Sequence, residues 1–426
     1  MPGKKKKESK IKRFLQLLGP GLVTGASDDD PSGITTYTQA GAQFGYSTLW
    51  TAWLTFPLMA SIQEMCARIG LATAHGLTSI LKTHYPKWVL YLMVIFGFPA
   101  IVMNIGADIA GMGAVANLIF PKIDASYFSV LFTLILLFCI VVFPYRKIAS
   151  ILKYLALVLM VYLIVPFFVH NDISKVIKAA IIPHIEFNKQ FLSVLVGILG
   201  TTISPYLFFW QTDMEVEEIK DQQRKQTKRI VVSNRAFSNM KTDINFGMGY
   251  SIIVMFFIML TAGSVLGAGG IHNIETVQQA AEALRPIAGD FAYYLFAIGV
   301  IGTGFLAIPV LTGSLSYIFS EAFDLEMGLD KKFFEAKGFY IIIAISLLVG
   351  LSLNYIGISP VNALLYSAIL YGVTAPVIIA IILHICNNKK IMGKHTNTLR
   401  ANILGGIALA LMTVSAIALL YFQFFN

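Results

Sequence analysis

The chain has 426 residues, of which 56% are hydrophobic and 13% charged, with a mean hydropathy of +0.72. A soluble domain carries about 25% charged residues, so this composition excludes a disordered chain and argues strongly against a soluble multidomain enzyme. The formal charge of +9 invites a nucleic-acid reading, but the placement of the basic residues assigns it elsewhere. A membrane-spanning helix needs about 20 mostly apolar residues. Eleven windows qualify, near 16–43, 47–72, 88–118, 126–143, 148–169, 190–212, 244–267, 288–319, 338–354, 359–386 and 398–423. No linker or low-complexity run divides them. The expected organisation is a basic cytoplasmic tail over 1–14 and one eleven-helix domain over 15–426.

Lysine and arginine orient the bundle, because cytoplasmic loops are enriched in them. With the N-terminus inside, 27 of the 32 basic residues fall on the cytoplasmic side, leaving Lys122, Lys175, Lys178, Lys189 and Arg285 outside. The expectation is a multi-pass protein of a cell membrane, N-terminus in the cytoplasm and C-terminus outside. The positive charge is then a topology signal and no nucleic acid is implied. The Lys4–Lys7 run also suits anionic lipid headgroups. The sequence carries no signal for an oligomeric state.

Two windows should not be continuous helices. The first contains Ser27-Asp28-Asp29-Asp30-Pro31-Ser32-Gly33. Each aspartate costs about 2.5–3.5 kcal/mol at the centre of a membrane helix, and Pro31 disfavours helical geometry at Asp30. An unwound break, with aspartates facing protein or water, resolves the conflict; the alternative is a short helix over 16–27 that ends in an exposed loop. The sixth window repeats the device in Gly200-Thr201-Thr202-Ile203-Ser204-Pro205-Tyr206, where Pro205 frees the carbonyl of Thr201. Spans 1–5 and 6–10 then form two halves of opposite orientation with breaks at matching positions, which is the sequence pointer to a transporter's substrate site. Freed carbonyls beside Asp30 favour a cation.

Other polar features read differently. Cys66, Cys139 and Cys386 are scattered, with no metal-ligand spacing, and His75, His84, His184, His272 and His395 lie outside or at the ends of spans. Glu64 and Arg68 form an i, i+4 pair. The run Tyr206-Leu207-Phe208-Phe209-Trp210 either packs against neighbouring helices or lipid, or lines a pocket for an organic cation. Asp213, Glu215, Glu217 and Glu218, followed by Arg224, Lys225, Lys228 and Arg229, read as a solvated cytoplasmic loop. No nucleophile–base pair or nucleotide-binding loop appears, so an enzyme is not expected.

Several runs resemble the NRAMP divalent metal transporters. They are Gly19-Pro20-Gly21, Asp30-Pro31, Gln39 to Ser47 with Leu49-Trp50, Ala67-Arg68-Ile69-Gly70, Gly200 to Pro205 and Lys390-Ile391-Met392-Gly393. The resemblance implies an all-α, LeuT-like 5+5 inverted repeat with an eleventh helix and helices 1 and 6 broken. It also implies a divalent metal as transported substrate, held between the breaks, with no cofactor. By resemblance the ligands are Asp30 and Ser204 with the carbonyls of Ser27 and Thr201.

The likeness departs at the site. The family's DPGN motif reads Asp30-Pro31-Ser32-Gly33, so its asparagine ligand is Gly33. Its MPH motif reads Ser204-Pro205-Tyr206, so a thioether becomes a hydroxyl and a histidine a phenol. A second family histidine is Gln211, the acidic partner of Asp108 is Gly111, and the glutamines of spans eight and ten fall at Phe305 and Ala368. Loss of the thioether removes a soft ligand that favours transition metals. The remaining hard oxygens suit a partly hydrated Mg²⁺, with Mn²⁺ compatible. Loss of the histidines undercuts proton coupling. Asp108 is either a lone proton carrier or a buried aspartate hydrogen-bonded to a neighbour. Asp28 and Asp29 either line the site or serve as cap or solvent-facing acids. The expected function is a weakly or un-coupled divalent metal transporter, with an organic-cation carrier on the same scaffold as the alternative.

Overall fold

The structure is a computed structural model that describes residues 19–144, 147, 157–169, 172–225 and 234–424. The basic tail, residues 148–156 of the fifth window, Lys228 and Arg229 lie outside these residues. Helices of eight or more residues are numbered in chain order. They are α1 Pro20–Asp28, α2 Pro31–Phe44, α3 Trp50–Thr73, α4 Leu77–His84, α5 Lys87–Ile119, α6 Ala125–Val142 and α7 Ile173–Ile181. There follow α8 Lys189–Thr202, α9 Pro205–Lys225, α10 Asn234–Ala262, α11 Ala292–Ala322, α12 Lys337–Leu353, α13 Pro360–Asn387 and α14 Leu399–Phe424. Among the described residues there is no strand. Seven stretches are long and apolar enough to cross a membrane by length and composition, with α12 a shorter apolar helix.

Both breaks take the same form. α1 ends at Asp28, and after Asp29 and Asp30 the chain resumes as α2 at Pro31. α8 ends at Thr202, and after Ile203 and Ser204 the chain resumes as α9 at Pro205. Each restarting helix places proline in its first turn, where no N–H is needed and the fixed φ is already helical. Asp30 has extended geometry, φ −70° and ψ 173°, and caps α2 by accepting a hydrogen bond from the Gly33 N–H.

The half-helices carrying the breaks sit in the middle of the bundle. α10 packs against both α1 and α2, and α13 packs against α2, α5 and α8. Small residues bring these backbones together: a Cβ on Gly25 would overlap the Gly247 carbonyl, and one on Gly200 would overlap the backbone of Ala368 and Gly372. Such close crossing is how membrane helices gain contact without a hydrophobic driving force. At the periphery, α6 exposes Tyr127, Leu131, Leu134 and Phe138. An apolar face of that extent is suited to lipid rather than water.

One expectation fails outright. Asp213 to Glu218 do not form a solvated loop, because α9 continues through them to Lys225. Asp213 is 2% exposed and Glu215 4%. The helix outruns its apolar stretch because its partners α1, α3, α4 and α11 extend alongside it, and Gln211 donates to Glu215 at 3.0 Å.

Candidate functional site

Asp30 stands where α2 begins, and its two carboxylate oxygens are separately held. Oδ1 accepts from the Gly33 N–H at 2.6 Å, and Oδ2 accepts from Asn104 Nδ2 of α5 at 2.8 Å. Asn104 Oδ1 in turn lies 2.9 Å from the Ser367 hydroxyl of α13, which sits 3.0 Å from the hydroxyl of Ser32. Ser32 also donates to the Leu364 carbonyl at 2.8 Å. Asp30 is thus oriented by a chain of side chains linking spans one, three and ten. A buried network of this kind fixes a carboxylate's direction far better than a single contact does.

The candidate carbonyls face the same region, and each is met by a hydroxyl. Tyr206 donates to the Ser27 carbonyl at 2.9 Å, and Ser204 donates to the Thr201 carbonyl at 2.5 Å, with the Gly200 carbonyl 3.1 Å away. Gly33 lies between the two breaks. A Cβ there would stand 3.0 Å from the Asp28 carbonyl, 3.2 Å from Thr201 Oγ1 and 3.4 Å from Asp30 Oδ1. The structure therefore brings Ser27, Asp30, Gly33, Thr201, Ser204 and Tyr206 together.

Asp28 and Asp29 turn toward span seven. Ser251 of α10 donates to Asp28 Oδ2 at 2.7 Å and lies 3.4 Å from Asp29 Oδ1, leaving Asp28 Oδ1 and Asp29 Oδ2 buried without partners. Both residues are fully buried, so neither is solvent-facing, and the cap of α2 is Asp30. Asp108, one turn beyond Asn104 on α5, is also fully buried, and neither of its oxygens has a hydrogen-bond partner. The Ser32 backbone at the start of α2 is a close polar neighbour. Gln211 is not at the breaks: it accepts from Thr24 of α1 at 2.6 Å and donates to Glu215.

Among the described residues, the carboxylates of Asp28, Asp29, Asp30 and Asp108 have no buried cationic neighbour. Among the described residues, Arg68 is the only buried basic side chain, and it is paired with Glu64, as the i, i+4 spacing predicts. Lys241 reaches the same glutamate at 2.9 Å. Buried acids without bases need protons or a cation beside them. Among the described residues no cluster of three or more His, Cys, Asp or Glu is arranged to hold a metal. What the breaks offer is one well-oriented carboxylate with hydroxyl and carbonyl oxygens.

A cavity of about 1130 Å³ approaches this place from one end of the bundle. It is lined by Gln39, Gln43, Lys189 and Asn362 and reaches Thr36 and Gly197, one turn from Gly33 and Thr201 respectively. There Thr36 closes on Gly197, where a Cβ would meet the Thr36 methyl at 3.3 Å.

Comparison with known proteins places this architecture. The family model described as "Natural resistance-associated macrophage protein-like", Nramp, matches residues 21–422. The chain belongs to the Nramp family.

Relatives of this Nramp chain include the divalent metal cation transporter MntH of Caldanaerobacter subterraneus subsp. tengcongensis, 23% identical over 414 residues. That alignment covers 96% of this chain and 94% of the other. The MntH of Staphylococcus aureus strain JH9 is 24% identical over 315 residues, covering 73% and 69%. The crystal structure of the Eremococcus coleocola manganese transporter, in complex with an aromatic bis-isothiourea compound, superposes with a TM-score of 0.75 at 18% identity. It covers 98% of this chain and 88% of that one. The likeness establishes the all-helical, LeuT-like fold.

Within the Nramp frame the substituted positions acquire physical surroundings. Gly111 is packed against its neighbours: a Cβ there would meet Leu364 Cδ1 at 3.1 Å and Pro31 at 3.6 Å. Phe305 packs edge-on against Phe132, and Ala368 is fully buried. Residues 206–210 are at most 1% exposed, and Tyr206 sits 5.7 Å from Tyr371 between ring centroids. They pack inside the bundle. Asn104, Ser251 and Ser367 are the participants that sequence reasoning missed. Asn104 alone left a trace, a polar residue four before Asp108 in an apolar window and hence on the same helix face.

Proposed function

We propose that this Nramp protein transports divalent metal cations, with Mg²⁺ or Mn²⁺ preferred over soft transition metals and with weak or no proton coupling. The observation that carries the reading is the set Asp28, Asp29, Asp30 and Asp108, four buried carboxylates beside paired helix breaks with no buried base among them. The relatives named as divalent metal cation transporters support the general activity.

Asp30 is the main ligand in this reading, with Ser204 and the carbonyls of Ser27 and Thr201 completing a set made wholly of oxygen. Mg²⁺ usually keeps several waters and takes one or two carboxylates, which suits a site whose thioether and asparagine positions are Ser204 and Gly33. The ion displaces two hydroxyl donors as it binds, Tyr206 from the Ser27 carbonyl and Ser204 from the Thr201 carbonyl. Each exchange costs about 0.5–1.5 kcal/mol, small against two charges meeting a carboxylate in a protein interior. The vestibule at Thr36 and Gly197 supplies access from the face that the basic residues assign to the outside. Gln211, Tyr206 and Gly111 replace the histidines and the second acid of a proton relay, which leaves Asp108 as a lone candidate carrier and favours passage driven by the ion gradient and the membrane potential.

The test is uptake into liposomes containing the purified protein, offering Mg²⁺, Mn²⁺, Ca²⁺ and choline separately while lumenal pH is followed. Saturable Mg²⁺ or Mn²⁺ entry with constant lumenal pH is expected. Saturable choline uptake without any divalent entry would overturn the metal reading, and acidification in step with metal entry would overturn the uncoupled one.

A further inference from the structure

The misread acidic end of α9 holds a second constellation, remote from the breaks. Asp213 is 2% exposed, and its Oδ1 has no hydrogen-bond partner. Glu321, at the end of α11, is 6% exposed. The two carboxylates converge on one point: a Cβ added to Gly76 would overlap both Asp213 Oδ1 and Glu321 Oε1. Glu321 is held there by the first turn of α4, with Gly76 N–H donating to Oε1 at 3.0 Å and Ser79 N–H to Oε2 at 2.9 Å. Each of those oxygens keeps a further lone pair.

Asp213 lines a cavity of about 200 Å³ together with Glu217, Lys220, Tyr317 and Lys331. Glu217 Oε1 accepts from the Tyr317 hydroxyl at 2.6 Å, so it stands at the rim with one oxygen engaged. Lys331 is committed to Glu326, and Lys82 to Asp324 at 2.5 Å. Of the charges near the Asp213–Glu321 pair, Lys220 is the base within electrostatic reach of Asp213, Glu217 and Glu321 alike. One exposed ammonium does not balance three carboxylates. Two buried carboxylates this close need a proton or a cation between them.

We propose that Asp213 and Glu321, as a pair of carboxylates rather than a three-ligand cluster, bind a hydrated divalent cation at the end of α9 that the basic residues place in the cytoplasm. The donors are hard oxygens, which select Mg²⁺, Mn²⁺ or Ca²⁺ over soft metals. Two carboxylates suffice for an ion that keeps part of its water shell. Asp213 lies about 13.5 Å along α9 from Ser204, at 1.5 Å per residue. An ion leaving the midplane along that half-helix reaches it before bulk solvent. The site does not depend on the assignment of Asp30 as a transport ligand.

Mn²⁺ binding to the full chain in phosphatidylcholine nanodiscs, followed by electron paramagnetic resonance, tests it. Zwitterionic lipid keeps headgroup binding out of the signal. In the Asp30→Ala background one bound Mn²⁺ is expected to remain. Adding Asp213→Asn should weaken that binding by tenfold or more, whereas adding Lys220→Gln, an exposed change at the cavity wall that leaves both carboxylates in place, should tighten it by roughly threefold or more. Loss of all Mn²⁺ binding in Asp30→Ala alone overturns the proposal, as does residual binding indifferent to Asp213→Asn. Should Asp213→Asn not fold, the Lys220→Gln arm decides: unchanged or weaker binding overturns the site. Full wild-type stoichiometry persisting in Asp30→Ala, with dependence on Asp213, supports this site and counts against Asp30.

Discussion

The Tyr206 hydroxyl offers the sharpest perturbation of the proposed ion site. It donates to the Ser27 carbonyl at 2.9 Å, and the ring itself is buried against Tyr371. Tyr206→Phe removes the hydroxyl and keeps the packing. If the Ser27 carbonyl is an ion ligand, the hydroxyl competes with the ion for it, and the competition is worth about 0.5–1.5 kcal/mol. At 1.4 kcal/mol per factor of ten, the substitution should lower KM for Mn²⁺ roughly twofold to tenfold. It also strands a buried carbonyl in the ion-free protein, which costs about 1–3 kcal/mol. The ion-free variant should therefore melt earlier than wild type, and added Mn²⁺ should recover more of that loss than it adds to wild type. Initial uptake rates in liposomes and melting curves with and without Mn²⁺ measure both effects. A KM raised tenfold would mean that the hydroxyl holds the ion or its water, and an unchanged KM would remove the Ser27 carbonyl from the ligand set.

Two further substitutions probe the same place. Asn104→Ala removes the amide that donates to Asp30 Oδ2, and loss of such an orienting partner costs about 10–100-fold in metal affinity; KM should rise by that range while the maximal rate changes little. A comparable fall in maximal rate with KM unchanged would show that Asn104 acts elsewhere. Ser204→Met supplies a soft thioether at the second break, so competition uptake should shift from Mg²⁺ toward Cd²⁺ by about tenfold or more. An unaltered ratio would mean that this position does not face the ion.

The breaks were legible because they violate local rules in the sequence itself. Three adjacent aspartates and two prolines inside apolar windows cannot sit in continuous membrane helices, and the structure unwinds the chain at Asp29–Asp30 and at Ile203–Ser204. What holds Asp30 was not legible, since Asn104 and Ser367 come from spans three and ten and meet it only in the fold. The acids from Asp213 to Glu218 were misread for a related reason. Their charge density resembles a solvated loop, but burial was decided by helices that happen to extend beside α9. Asp108 was visible in the sequence as an acid inside an apolar window, but its full burial beside the first break could only be seen once every neighbour was in place.

The central claim is that Asp30 carries the divalent ion. Its direct measurement is initial-rate Mg²⁺ and Mn²⁺ uptake by wild-type and Asp30→Ala protein, reconstituted at matched density and checked for intact folding by size-exclusion profile and melting curve. The account predicts saturable wild-type uptake that falls by about 100-fold or more in Asp30→Ala, the loss of roughly 3 kcal/mol expected for removing one partner of a buried charge interaction. Folded Asp30→Ala protein that transports either ion at the wild-type rate would contradict it.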